Sequence, residues 1–194
     1  MKLLIVLLCT ALLSACSARG PQPGAARDVA ALAASLQALS PDVDPAEARR
    51  AAALSYETTF RLAQAYGITD PALIHNAKVN AGLRPRGLCY HWAEDMQARL
   101  SAENFRTLGL TRAIANSETR LLIDHSTLVI VAKGDVMENG VVIDPWRYAG
   151  KLFWAPVRDD TRYEWLRRKA VLEKRGLIRY AQRTEGSLAP LPAD

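Results

Sequence analysis

The chain has 194 residues, is 49% hydrophobic and 23% charged, and carries a formal charge of +5. That length suits one domain and is enough to bury a real core. With only three cysteines, Cys9, Cys16 and Cys89, metal sites of the CxxC type are excluded.

Lys2 precedes an apolar run from Leu3 to Leu13, followed by the small residues Ser14 and Ala15 and then Cys16. A positive start, a short apolar core and small residues at the cut are the parts of a secretory signal, here 1–15. The run is shorter than the roughly 20 apolar residues a spanning helix needs, and no later run is longer. Leu13-Ser14-Ala15-Cys16 also resembles the bacterial lipobox, which implies cleavage before Cys16 and acylation of that cysteine by diacylglyceryl and palmitate-like chains. Each buried CH2 contributes about 0.8 kcal/mol, so several chains anchor firmly. Ser17, where retained lipoproteins carry Asp, implies by the same resemblance an outer-membrane address facing the periplasm. Ordinary secretion with cleavage at Ala15 is the alternative.

Residues 16–25 are rich in Gly and Pro and read as a flexible tether. The spacing then predicts a short Ala-rich helix over 26–39, broken by Ser40-Pro41-Asp42. Asp44-Pro45 starts a second helix, with Asp44 as N-cap and Pro45 at the first helical position, ending near Tyr66 at the C-cap Gly67. Leu54, Phe60, Leu62 and Tyr66 give it an imperfect apolar stripe. Asp70-Pro71 repeats the start signal for a helix to about Asn80. A fourth helix runs from Leu88 to about Leu100, with Cys89, Trp92, Ala93, Met96 and Leu100 on one face. Cys89 therefore lies in its first turn, on the inward side.

After Asn104 the pattern changes. Leu121 to Val131 is apolar and β-branched, as expected of a central strand. Gly140 to Asp144 is a second strand, ended by Pro145. Leu152 to Val157 is a third, near an edge because of Pro156, and Phe105 to Ala115 supplies another. A last helix is expected from Thr161 to about Gly176, and 184–194 is a frayed tail. Helices first and strands later argue for an α+β domain over 26–183.

Cys9 leaves with the signal and Cys16 is taken by lipid, so Cys89 is the one free thiol of the mature chain. Three histidines are present. His91 lies roughly 200° round the helix from Cys89, and His75 belongs to the preceding helix. His125 opens the central strand, and Asp144 closes the next.

"RGLCYHWAEDM", "DHSTLVI" and "VVIDPW", in that order, resemble the transglutaminase-like branch of the papain-like cysteine proteases, over roughly residues 80 to 157. The resemblance implies N-terminal helices packed on an antiparallel sheet. It also implies a catalytic triad of Cys89, His125 and Asp144, the cysteine at a helix N-terminus and the other two on adjacent strands. Trp146 stands where Thr is commoner in that family. A helix start and a nearby imidazolium both favour the thiolate. His125 would hold the proton and return it to the leaving group, and Asp144 would set its tautomer. The backbone N–H of Cys89 is a candidate oxyanion donor, with Asn80 or Asn76 as side-chain candidates. Trp92 and Trp146 are candidates to line the cleft, Trp92 having the core as its alternative place. A two-residue turn at Gly134-Asp135 would put His125 directly opposite Asp144. Asn139-Gly140 is a competing turn, and a longer loop a third arrangement.

Two classes of function follow. One is a membrane-anchored envelope thiol hydrolase or acyl transferase acting on an amide through a thioester. The other is a binding or scaffold lipoprotein with the same fold and no turnover. Thiol–disulfide exchange lacks a resolving cysteine. No metal or cofactor is implied, EF-hand loops and zinc quartets being absent from the sequence. Expected partners are the lipid anchor in the membrane and a peptide or protein substrate of the envelope, with nucleic acid unexpected for an exported chain. The late basic cluster of Arg167, Arg168, Lys169, Lys174, Arg175, Arg179 and Arg183 could meet an anionic surface, or be a solvated face mixed with acids.

Overall fold

The computed structural model describes residues 21–119 and 121–177. The signal, Cys16, Arg179, Arg183 and the tail 184–194 lie outside them. Among the described residues four helices come first: α1 (Ala26–Gln37), α2 (Pro45–Ala65), α3 (Ala72–Asn80) and α4 (Cys89–Ser101). Five strands follow, β1 (Leu108–Ala115), β2 (His125–Ala132), β3 (Val141–Tyr148), β4 (Lys151–Pro156) and β5 (Leu166–Arg167), and then α5 (Arg168–Lys174). The sheet is antiparallel in the order β4-β3-β2-β1-β5. This is an α+β domain, and Pro156 stands on its edge strand as expected.

Asp44 caps α2, its Oδ1 accepting from the Ala46 and Glu47 amides. The buried face of α2 is made mainly of small residues, Ala48, Ala51, Ala52, Ser55, Thr59 and Ala63, with Leu54 and Tyr66 the two members of the expected stripe that are buried. Small side chains let α2 approach α1 and α4 closely, and Phe60 and Leu62 are left only partly buried. Asp70 does not cap α3. Its carboxylate is taken by Lys78 Nζ at 2.7 Å and Thr69 Oγ1 at 3.0 Å instead. Glu47, a buried carboxylate, ties α2 to the start of β1 by accepting from the Arg106 and Thr107 amides and the Thr107 hydroxyl. Burial opposes the charge, but these donors and Arg50 hold its carboxyl down to about 2.

One sheet face packs Leu108, Leu128, Ile130, Val141 and Ile143 against α1, α2 and α4. The other packs Ala113, Val129, Val142, Met137 and Trp165. β2 starts at His125, four residues later than expected, because its first rung is the pair Ala115–His125. Leu121, Leu122 and Ile123 lie before that rung in the β1–β2 loop and are exposed at 95%, 55% and 61%. The β2–β3 turn is neither two-residue turn: a 3-10 turn at Met137–Asn139 lengthens the loop, and Leu128 pairs with Ile143. That pairing is two residues from the expected one, and a shift of two keeps every side chain on its face. β3 continues through Pro145 because it separates from β2 after Ile143 and bulges against β4 between Asp144 and Tyr148. A residue without an N–H is tolerated in such a bulge. The long last helix is replaced by an extended segment and the short α5, since Trp165 turns into the second core and Leu166 pairs with Ile114.

Candidate active site

Cys89 is the first residue of α4. First-turn N–H groups have no acceptor within their helix, and two amides before them, Gly87 and Leu88, are met by His91 Nδ1 at 3.2 and 3.3 Å. His91 thus faces back over the helix start and away from the thiol. Burial and Arg86 lower its pKa, which suits an imidazole acting as acceptor. His75 is buried in α3 and its Nε2 donates to the Arg86 carbonyl at 2.9 Å. Gly87 passes between them at φ +125°, where an added Cβ would stand 2.3 Å from His75 Nε2. Two histidines therefore shape the loop that delivers Cys89.

The third histidine meets a carboxylate. His125 Nε2 lies 2.7 Å from Asp144 Oδ2, both side chains almost fully buried. That bond uses Nε2, leaving Nδ1 buried without a hydrogen-bond partner among the described residues. The Cys89 thiol is close enough to the imidazole to act on its charge. It donates to the carbonyl of Asp124, the residue before His125, at 3.5 Å. Burial alone would push the His125 pKa down, but Asp144 and Cys89 override it and hold it near about 9. Burial would likewise raise the Asp144 carboxyl, yet His125 and Arg147 carry it below the ordinary range. The three residues on α4, β2 and β3 come together. Cys89, at 8% exposure against 2% and 1% for the other two, is the one nearest solvent.

A second layer holds the pair. Arg147 Nε donates to Asp144 Oδ2 at 2.9 Å, and its amide to Asp144 Oδ1 at 3.1 Å. Its two terminal nitrogens donate to the Asp160 carboxylate, which also accepts from Trp165 Nε1 at 2.9 Å. The Arg147 guanidinium lies 3.7 Å over the Phe153 ring and 4.8 Å over Tyr163. The His125 ring is enclosed by Trp146, Tyr163 and Trp165 at centroid distances of 4.6, 4.7 and 5.2 Å. Such enclosure removes water from the imidazole, so its charge rests chiefly on Asp144, with Cys89 second.

The other residues picked out in the sequence fall into place unevenly. Trp146 stacks on His125, and Asn76 holds it there by accepting from its indole N–H at 3.0 Å. The Asn76 oxygen is thus spent on positioning. Asn80 is exposed at the end of α3 and bonds to none of Cys89, His125 and Asp144. Trp92 is core: 1% exposed, edge-on to Tyr66 at 4.8 Å, its N–H on the Gly87 carbonyl. The basic residues are largely neutralised, Arg167 by Glu138, Lys174 by Glu118 and Arg175 by Asp124. The sequence reading missed Arg147, Asp160, Tyr163 and Trp165. The one available signal was the alternation of Tyr163 and Trp165, which puts both rings on one side of an extended chain.

Among the described residues no group of three His, Cys, Asp or Glu side chains is placed to hold a metal ion, and no helix is long and apolar enough to cross a membrane. Compared with known proteins, the chain matches no family model, no curated protein and no solved structure.

Proposed function

We propose that this protein is a transglutaminase-like cysteine hydrolase, tethered to the bacterial outer membrane through Cys16 and acting on an amide bond of an envelope peptide or protein. The observation that carries the reading is the buried His125–Asp144 bond through Nε2, which leaves Nδ1 unpartnered while the Cys89 thiol acts on the same imidazole. In this reading Cys89 Sγ gives its proton to His125 Nδ1 and, as thiolate, attacks the amide carbon. The new C–S bond pushes the carbonyl electrons onto oxygen, where the Cys89 N–H at the helix start can donate. Collapse expels the amine, which leaves with the proton from Nδ1, and a thioester remains. Water, activated by the now neutral imidazole, releases the acid and frees the thiol, while an amine in its place completes a transfer. Asp144 stays bonded to the Nε2 side of the ring in both its neutral and its charged form, without taking its proton.

A second reading keeps the fold as a binding module. It draws on the thiol's burial and its engagement with the Asp124 carbonyl. The two separate in a burst experiment with p-nitrophenyl acetate. A hydrolase releases about one equivalent of nitrophenolate quickly and carries an acetyl group on Cys89, seen by mass spectrometry of the peptide. Both signals vanish in Cys89→Ala and fall strongly in His125→Ala. No burst and no acetyl-Cys89 would leave the binding module.

A further inference from the structure

Arg112 is a half-buried cation in an unusual position. It lies on the face of β1 turned toward α4, and its Nη2 donates to Ser126 Oγ at 3.0 Å, one residue from His125. Its Nε is buried without an acceptor, and no described carboxylate pairs with it. A half-buried cation whose one hydrogen bond goes to a neutral hydroxyl is costly. The neighbouring strand makes matters worse. β5 pairs Arg167 with Ala113, so the next residue, Arg168, comes up beside Arg112. Arg168 also forms no ion pair among the described residues. Like charges this close repel, Arg168 standing at the start of α5 just past the β5 pairing. Burial and Arg168 both depress the Arg112 pKa, while Cys89 and the exposed Glu94 act the other way. Two guanidiniums left unpaired beside a nucleophile, in a protein that neutralises Arg86, Arg147, Arg167 and Arg175 with carboxylates, are a place for an outside anion.

We propose that Arg112, seconded by Arg168, binds a carboxylate of the substrate next to the amide that Cys89 attacks, so that the favoured substrate is an acidic peptide. A planar guanidinium anchored at one edge by Ser126 can offer its remaining N–H groups to a carboxylate in paired fashion. The assignment rests on Cys89 as the nucleophile and adds a specificity to it.

The test compares two alkylating agents of similar size, iodoacetate and iodoacetamide, on the chain from Ser17, which keeps every described residue and has Cys89 as its sole thiol. Each forms a thioether on Cys89 with loss of iodide, and only the first is an anion. The ratio of their rates cancels changes in thiol reactivity. Arg112→Gln is expected to lower the iodoacetate to iodoacetamide ratio about tenfold, the effect of one lost charge-assisted hydrogen bond. Arg168→Gln should lower it about threefold, as for a second charge acting without its own hydrogen bond to the anion. An unchanged ratio in both variants overturns the anion site. If Arg112→Gln does not fold, Arg168→Gln decides alone, an unchanged ratio again overturning the proposal. A wild-type iodoacetamide rate without dependence on His125 would instead count against the nucleophile reading, while the ratio still judges the anion site.

Discussion

Arg147 and His125 share one oxygen: Asp144 Oδ2 accepts from Arg147 Nε at 2.9 Å and from His125 Nε2 at 2.7 Å. His125 and, after it, the arginine keep Asp144 ionised in a fully buried place, and Asp160 holds the arginine there. Removing the cation leaves two buried carboxylates, Asp144 and Asp160, without the guanidinium they share. Arg147→Met is therefore expected to destabilise the fold by about 3 kcal/mol, within the range for breaking one side of a buried ion pair. The midpoint and slope of urea unfolding measure this, and a loss under about 1 kcal/mol would show that Arg147 is dispensable to the site.

The acid and alkaline limits of stability follow from the same pair. The His125 pKa is raised to about 9, above the ordinary value near 6.5. Its contribution is thus complete below about 6.5 and lost as pH rises through about 9. Asp144 is lowered, so its contribution is present above about 3.9 and lost as pH falls through its lower native value. NMR titration of the His125 ring should give a midpoint near about 9, falling by more than one unit in Asp144→Asn. A midpoint near about 6.5 in the wild type would contradict this.

Gly87 is the position where the loop before Cys89 is least replaceable. Its φ is +125° and an added Cβ would meet His75 Nε2 at 2.3 Å. Gly87→Ala should cost about 2 kcal/mol or more through backbone strain and the displaced histidine. It should also slow Cys89 alkylation, since the helix start shifts with the loop. Thermal unfolding and the alkylation rate check the two effects separately.

The lipid anchor has its own test. Cells fed radiolabelled palmitate should label the protein, and Cys16→Ala should lose the label and leave the membrane fraction. Unlabelled wild-type protein would favour simple secretion.

The N-terminal half was well legible. The apolar face of α4 is buried residue for residue as its spacing predicts, because a single amphipathic helix needs only local periodicity. His125 was legible at the start of its strand, whereas Asp144, expected to close the next one, lies inside β3; the two-residue error in register did no harm since it preserved the face. The supporting layer was hidden for a geometric reason. Asp144 and Arg147 are three apart, which puts side chains on opposite faces of a regular strand. Only the bulge between Asp144 and Tyr148 turns them together, and a bulge is set by tertiary pairing. Tyr163 and Trp165 were concealed by reading their segment as helix, where residues two apart diverge. The exposed Leu121, Leu122 and Ile123 misled in the other direction, since an apolar run was read as strand although it lies before the first rung of β2.

The central claim is that Cys89 and His125 form a thiolate–imidazolium pair. The most direct measurement is the rate of Cys89 alkylation by iodoacetamide from about pH 4 to 10, in the wild type and in His125→Ala, spanning the ordinary thiol pKa of about 8.5. The account predicts a rate already high near about pH 6 that is lost in the variant. A thiol reactive only above about pH 8, or unreactive, with no effect of His125, would contradict it.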